Sequence, residues 1–222
     1  MIRKVCVTGA LLAGAAVSAH AQSTGSMLLR AGATMIKPQT ESGDLTAPSL
    51  ASTKIDVGSN SQLSGGITYM VSDNLSVDLP VALPFKHEIV GAGAIAGAGK
   101  IGNVQALPIT LLGQYRFGTA SAQVRPYLGA GLTYAKFFKE NTTAALTALT
   151  GGSPASPTTM KVDSRLGATF QIGASLAISP RWSLDACYAK TLLKTKATLS
   201  TGQTIDITLN PDSYTVGVGY KF

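Results

Sequence analysis

Beyond its first 21 residues the chain holds one histidine, His87, and one cysteine, Cys187. That is too little for a four-ligand zinc site, and one cysteine closes no intramolecular disulfide. His87 stands beside Glu88, and a base oriented by a carboxylate is the core of nucleophilic catalysis. Adjacent residues of an extended chain point to opposite faces, however, and the sequence marks no serine as a nucleophile. Gly97-Ala98-Gly99-Lys100-Ile101-Gly102 has the G-x-G-x-x-G spacing, but that spacing cradles phosphate only where a helix follows. A Gly/Ala-rich surface loop is the better reading. The sequence therefore predicts no enzyme, metal or cofactor. What remains is charge placed inside apolar segments: Arg30, Asp78, Lys86, Arg116, Arg125, Arg165, Asp185 and Lys221. Charges withdrawn from water are costly unless paired. This set predicts a network in which Asp78 and Asp185 engage neighbouring arginines.

The segments that carry these charges alternate with period 2. Leu75, Val77, Leu79, Val81, Leu83 and Phe85 fall on one face, and Tyr214, Val216, Val218, Tyr220 and Phe222 on another. Leu166, Ala168, Phe170, Ile172, Ala174, Leu176 and Ile178 repeat the pattern. Strict alternation marks strands. The pattern predicts eight, near 26–37, 61–71, 75–89, 104–117, 124–138, 162–178, 182–198 and 205–222, with a short helix possible at 142–150. The connections at 72–74, 118–123 and 179–181 are short, whereas 38–60, 90–103 and 139–161 are long and rich in small residues.

Of the 222 residues only 13% are charged, about half the usual share of a soluble domain. Disorder needs high charge and low hydrophobicity, so it is excluded. The one long apolar run is Met1–Ala21: a basic start at Arg3 and Lys4, an apolar stretch, then Ala19-His20-Ala21. This predicts a signal peptide cleaved before Gln22 and one mature domain, 22–222. Removing Arg3 and Lys4 from 18 basic residues leaves 16 against 11 acidic, a net charge of about +5. Without membrane helices, an apolar, alternating, exported chain predicts an all-β fold: an eight-stranded antiparallel transmembrane barrel of the bacterial outer membrane, with short periplasmic turns and longer extracellular loops. Closure is required, because lipid cannot hydrogen-bond a free sheet edge.

The aromatics fit this arrangement. Tyr69, Tyr115, Phe117, Trp182, Tyr220 and Phe222 fall beside the short turns on apolar faces, as an interfacial girdle does. Phe85 and Tyr134 fall toward the other rim. By parity, Pro80, Ala82, Pro84, Ala106, Pro108, Leu112 and Phe137 should line an apolar upper lumen. Pro80, Pro84 and Pro108 lie on sequential strands, and each lacks the N–H a ladder uses. The seam between the third and fourth strands is therefore expected to be weak. The positive charge is better matched to anionic lipopolysaccharide than to nucleic acid, for no basic cluster carries interleaved aromatics.

Leu79–Ile89 (LPVALPFKHEI), Leu107–Phe117 (LPITLLGQYRF), Arg125–Tyr134 (RPYLGAGLTY) and Val216–Phe222 (VGVGYKF) together resemble the OmpW family of outer-membrane proteins, in order and over most of the mature chain. The resemblance implies a narrow, largely apolar channel that passes small hydrophobic molecules and releases them sideways into the membrane. It also implies recognition of the terminal Phe222 by the outer-membrane assembly machinery. Two bulky apolar side chains close the family's channel floor; the positions matching them here are Pro80 and Ala189, both smaller. The competing expectation is a non-transporting barrel whose loops bind partners or lipopolysaccharide.

Overall fold

A computed structural model describes residues 22–222; the expected signal peptide lies outside the described residues. The strands are β1 (Met27–Lys37), β2 (Glu41–Ser42), β3 (Thr53–Val57), β4 (Asn60–Met70), β5 (Leu75–Ala82), β6 (Phe85–Gly93), β7 (Lys100–Arg116), β8 (Val124–Thr142), β9 (Met160–Val162), β10 (Arg165–Ala177), β11 (Trp182–Leu192), β12 (Lys194–Leu199), β13 (Thr204–Thr208) and β14 (Asp212–Lys221). One short helix, α1 (Ala144–Leu149), falls where the sequence suggested it.

Eight of these strands close a barrel. Antiparallel pairing runs β1–β4–β5–β7–β8–β10–β11–β14, and β14 returns to β1. Thr34 meets Thr215 and Lys37 meets Asp212 in the closing ladder. Closure satisfies both edges, as lipid surroundings demand. Outward positions form a continuous apolar band: Leu63, Leu79, Leu111, Leu132, Phe170 and Val216 are all exposed. The inward positions are mostly buried and frequently polar. This inverts a soluble protein, whose exposed face carries the charge.

Above the loop end the chain builds a second sheet, in the order β2-β13-β12-β9, and β3 extends the wall through β6. Leu45, Ile95, Leu146, Leu199 and Ile205 join barrel residues Ile89, Ile101 and Val104 in one apolar cluster at the barrel mouth. The predicted long loops are thus largely structured. The strands read as 162–178, 182–198 and 205–222 each break where they leave the barrel for this cap.

The third predicted strand also divides. At Leu83-Pro84 the alternation slips by one, so Phe85 and His87 are buried inside while Lys86 and Glu88 are exposed outside. Period-2 reading placed Phe85 on the outer face and Lys86 in the lumen; both are reversed. The cause is the break at Pro84, because shifting a strand by one residue exchanges its faces.

Candidate functional site

At the turn end the lumen is filled. Arg30 reaches from β1 with Nη2 donating to Asp78 Oδ1 at 2.5 Å and Nη1 donating to Asp185 Oδ1 at 3.2 Å. Thr68 donates to Asp78 at 2.6 Å. Asp185 accepts from Tyr127 Oη at 2.9 Å and from Ser175 Oγ at 2.7 Å. Inward parity on β1, β4, β5, β8, β10 and β11 delivers all six residues to the turn-end lumen. The predicted pairing of both aspartates is present, with Arg30 as its centre.

The other predicted members take different places. Arg116 is fully buried but meets no carboxylate within ion-pair distance. It donates to Ser76, Gln22, Ser175 and the Gln114 oxygen, and lies 4.7 Å from the centre of the Tyr127 ring. Arg125 donates to the backbone carbonyls of Gln22 and Asp73 at 2.9 and 2.5 Å. In that turn, the Thr24 backbone N–H and hydroxyl donate to Asp73 at 2.8 and 2.9 Å and hold its carboxyl below the usual range. Arg165 is exposed at the loop end and pairs with Asp163 at 2.8 Å; its inward parity counts for little there, because β10 has only begun. Lys221 sits at the turn-end rim, its backbone N–H on the Arg181 carbonyl. Sequence reading missed Tyr127, Gln114, Gln171 (whose side-chain oxygen accepts from Gln114 Nε2 at 2.7 Å), Ser175 and Gln22. The first four had the signal of inward parity, but uncharged residues were not counted as network members.

Above this floor lies a cavity of about 170 Å³. Its wall includes Pro80, Ala82, Ala106, Pro108, Leu112, Phe137 and Ala189, all expected as lining, together with Phe85 and His87. Pro84 is not in that wall; it sits in the break between β5 and β6. Ile55, Ile89, Met160 and Ala197 are shared with a smaller cavity of about 40 Å³ beneath the cap, whose wall includes Leu146 and Leu149 of α1. An apolar track therefore leads from the cap to the floor.

The side wall has one discontinuity beside this cavity. The β5–β7 ladder ends at Asp78↔Leu112, and pairing with β7 resumes only at Phe85↔Ala106. Residues 79–84 and 107–111 face each other without a ladder. On its other side β5 remains paired with β4 as far as Ala82, and β7 remains paired with β8 throughout this stretch. The gap carries Pro80, Pro84 and Pro108, the residues that cannot donate.

Tyr69, Tyr115, Phe117, Trp182 and Phe222 are exposed at the turn end. Tyr220 is half-buried between Trp182 and Phe222, with ring centres 4.9 Å away on both sides.

The described residues thus form a closed eight-stranded barrel with an arginine-locked floor and an apolar upper lumen. Residues 23–222 match the sequence model of the OmpW family. The chain belongs to the OmpW family. Outer membrane protein W of Vibrio cholerae is 31% identical over 226 residues, covering 100% of both chains. Outer membrane protein AlkL of Ectopseudomonas oleovorans is 25% identical over 82% of this chain and 76% of its own. The crystal structure of OprG from Pseudomonas aeruginosa superposes with a TM-score of 0.81 at 29% identity, covering 91% of this chain and 98% of that one. As an OmpW-family member this is an outer-membrane β-barrel protein, and the outward apolar band is its lipid-facing surface.

Proposed function

We propose that this barrel is a passive channel for small hydrophobic molecules, which enter beneath the cap and leave sideways through the β5–β7 gap. The carrying observation is the unpaired stretch 79–84 against 107–111, set beside an apolar cavity whose floor is closed. Arg30, Arg116, Arg125 and Tyr127 obstruct the way down. An apolar solute gains nothing by crossing such a plug toward water, and about 25 cal/mol per Å² of apolar surface favours its staying in lipid. A gap without ladder hydrogen bonds is where two strands part at least cost.

A non-enzymatic role accords with His87. Its Nδ1 is engaged by the Gly58 carbonyl at 2.7 Å, and Glu88 turns outward to Lys100. On this reading the loop end faces the outer leaflet. Lys86 and Lys136, outward and exposed toward the loop end, then stand at the level of the anionic groups of lipopolysaccharide. The exposed Phe222, which closes the last ladder through its N–H on Met27, is offered as the assembly signal.

The test is uptake of radiolabelled decane by a deletion strain carrying the wild-type gene or the Pro84→Val/Pro108→Val double variant. Wild type should restore uptake, and the double variant should fall toward the deletion strain. Unchanged uptake by the double variant would refute the sideways exit. No gain from wild type would refute the channel.

A further inference from the structure

His87 enters the cavity wall with one nitrogen unengaged. It stands on β6 two residues beyond Phe85↔Ala106, the pair at which the ladder to β7 resumes above the gap. It lines the cavity and is only 4% exposed. Nδ1 lies 2.7 Å from the Gly58 carbonyl oxygen. A carbonyl only accepts, so Nδ1 carries the proton of that bond. Glu88 turns outward to Lys100, and Asp185, the carboxylate of the cavity wall, is held by Arg30 at the floor. A buried imidazole without a carboxylate partner keeps its neutral form. With its single proton on Nδ1, the ring presents Nε2 as a bare acceptor. Nε2 takes no hydrogen bond from any described residue.

The other polar groups of the wall are largely engaged. Thr110, Thr133, Thr169 and Thr191 bond one another across β7, β8, β10 and β11 at 2.8, 2.6 and 3.0 Å. Thr34 bonds Ser64 and Thr215, both at 2.8 Å, and Thr215 also bonds Cys187. Around His87 the inner face is apolar: Phe85 and Ile89 precede and follow it along β6, and Val104 stands opposite on β7.

We propose that His87 Nε2 is the head-group site of the lumen, and that the channel favours apolar molecules bearing one hydroxyl donor, such as a straight-chain alcohol. The O–H donates to Nε2, and the chain lies in the apolar cavity toward the gap. This rests on the channel reading and names its substrate class. A pure hydrocarbon covers Nε2 without satisfying it, which is costly. An ether offers an acceptor and no donor. A carboxylate or ammonium head loses its hydration and finds Arg30 and Asp185 already paired.

The experiment measures retention of radiolabelled 1-decanol, decane and methyl decyl ether by the full-length protein in nanodiscs, each corrected for empty nanodiscs. Wild type should favour decanol over both others by about three- to tenfold beyond lipid partition, the range of one neutral hydrogen bond. His87→Phe should abolish that preference. A second readout leaves the site intact. The chain has two histidines, His20 and His87, so His20→Gln leaves one imidazole to observe by nitrogen NMR. Its unprotonated-nitrogen resonance should move upfield on addition of decanol and stay in place on addition of the ether. Decane or ether retained as well as decanol by wild type, a preference that survives His87→Phe, or a resonance unmoved by saturating decanol would overturn the proposal while leaving the channel standing. No probe retained above empty nanodiscs would overturn the channel reading itself.

Discussion

Asp78 stands opposite Leu112 on the last rung of the β5–β7 ladder, and the same Asp78 carboxylate takes the Arg30 guanidinium at 2.5 Å. One residue therefore ends the sealed floor and begins the unpaired wall. The salt bridge pins β5 to the floor just where its ladder to β7 ceases, so on the proposed channel reading the wall above opens without loosening the plug.

Arg30→Met should destabilise the barrel by about 3–5 kcal/mol, because it leaves Asp78 and Asp185 buried without their shared cation. Urea unfolding in detergent micelles reads this directly. A loss below 1 kcal/mol would show that the two aspartates do not depend on Arg30.

The gap should be visible in the free protein. Amide hydrogen exchange in lipid should be fast for Thr110, whose N–H faces β5 across the gap, and slow for Leu107, Ile109 and Leu111, whose backbone groups face β8. The Pro84→Val/Pro108→Val variant should slow it. Uniform protection along β7 in wild type would contradict an openable seam.

Gly173 is packed against the floor so tightly that a Cβ there would lie 2.4 Å from Tyr127 Cζ. Gly173→Ala must push the ring away from Asp185 and from Arg116, and must also displace Cys187, whose Cβ would lie at 2.7 Å. The expected cost is about 1–3 kcal/mol, as for overpacking elsewhere. Combining it with Tyr127→Ala should recover the packing part of that loss, a coupling that a double-mutant cycle measures.

His87 lies above the lipid-facing band, where its strand neighbours Lys86 and Glu88 are exposed outside the wall. Burial lowers its pKa below the ordinary histidine value, against the opposing hydrogen bond to Gly58. The folded state thus prefers the neutral ring, and the unfolded chain binds the proton more readily. Its contribution is complete above the unfolded pKa, near 6.5, and is lost as pH falls through the depressed folded value. Thermal unfolding from pH 7 to pH 5 should show a fall in stability that His87→Phe reduces. An equal fall in the variant would assign the effect elsewhere.

Much of this protein follows from the order of its residues alone. Alternation from Leu75 to Leu83 and from Tyr214 to Phe222 dictates strands, because side chains on extended backbone take opposite faces. Apolar residues at every second position, with charge on the other face, dictate a closed barrel in lipid. The gap was legible as three prolines, since a missing N–H is a property of the residue itself. The partners were not. Arg30, Asp78 and Asp185 lie on β1, β5 and β11, and their heights in the lumen depend on strand stagger around the closed wall, which no single strand encodes. The same holds for Arg116, Arg125 and Arg165: parity gives a face, but only the tertiary register decides whether a carboxylate, a carbonyl or solvent waits there. The inversion of Phe85 and Lys86 has a similar origin, for a single residue spent at Pro84 changes sides for everything after it. The hydroxyl row Thr110–Thr133–Thr169–Thr191 escaped notice because threonine is ordinary in strands, and only neighbours brought together from β7, β8, β10 and β11 turn these hydroxyls into one connected row.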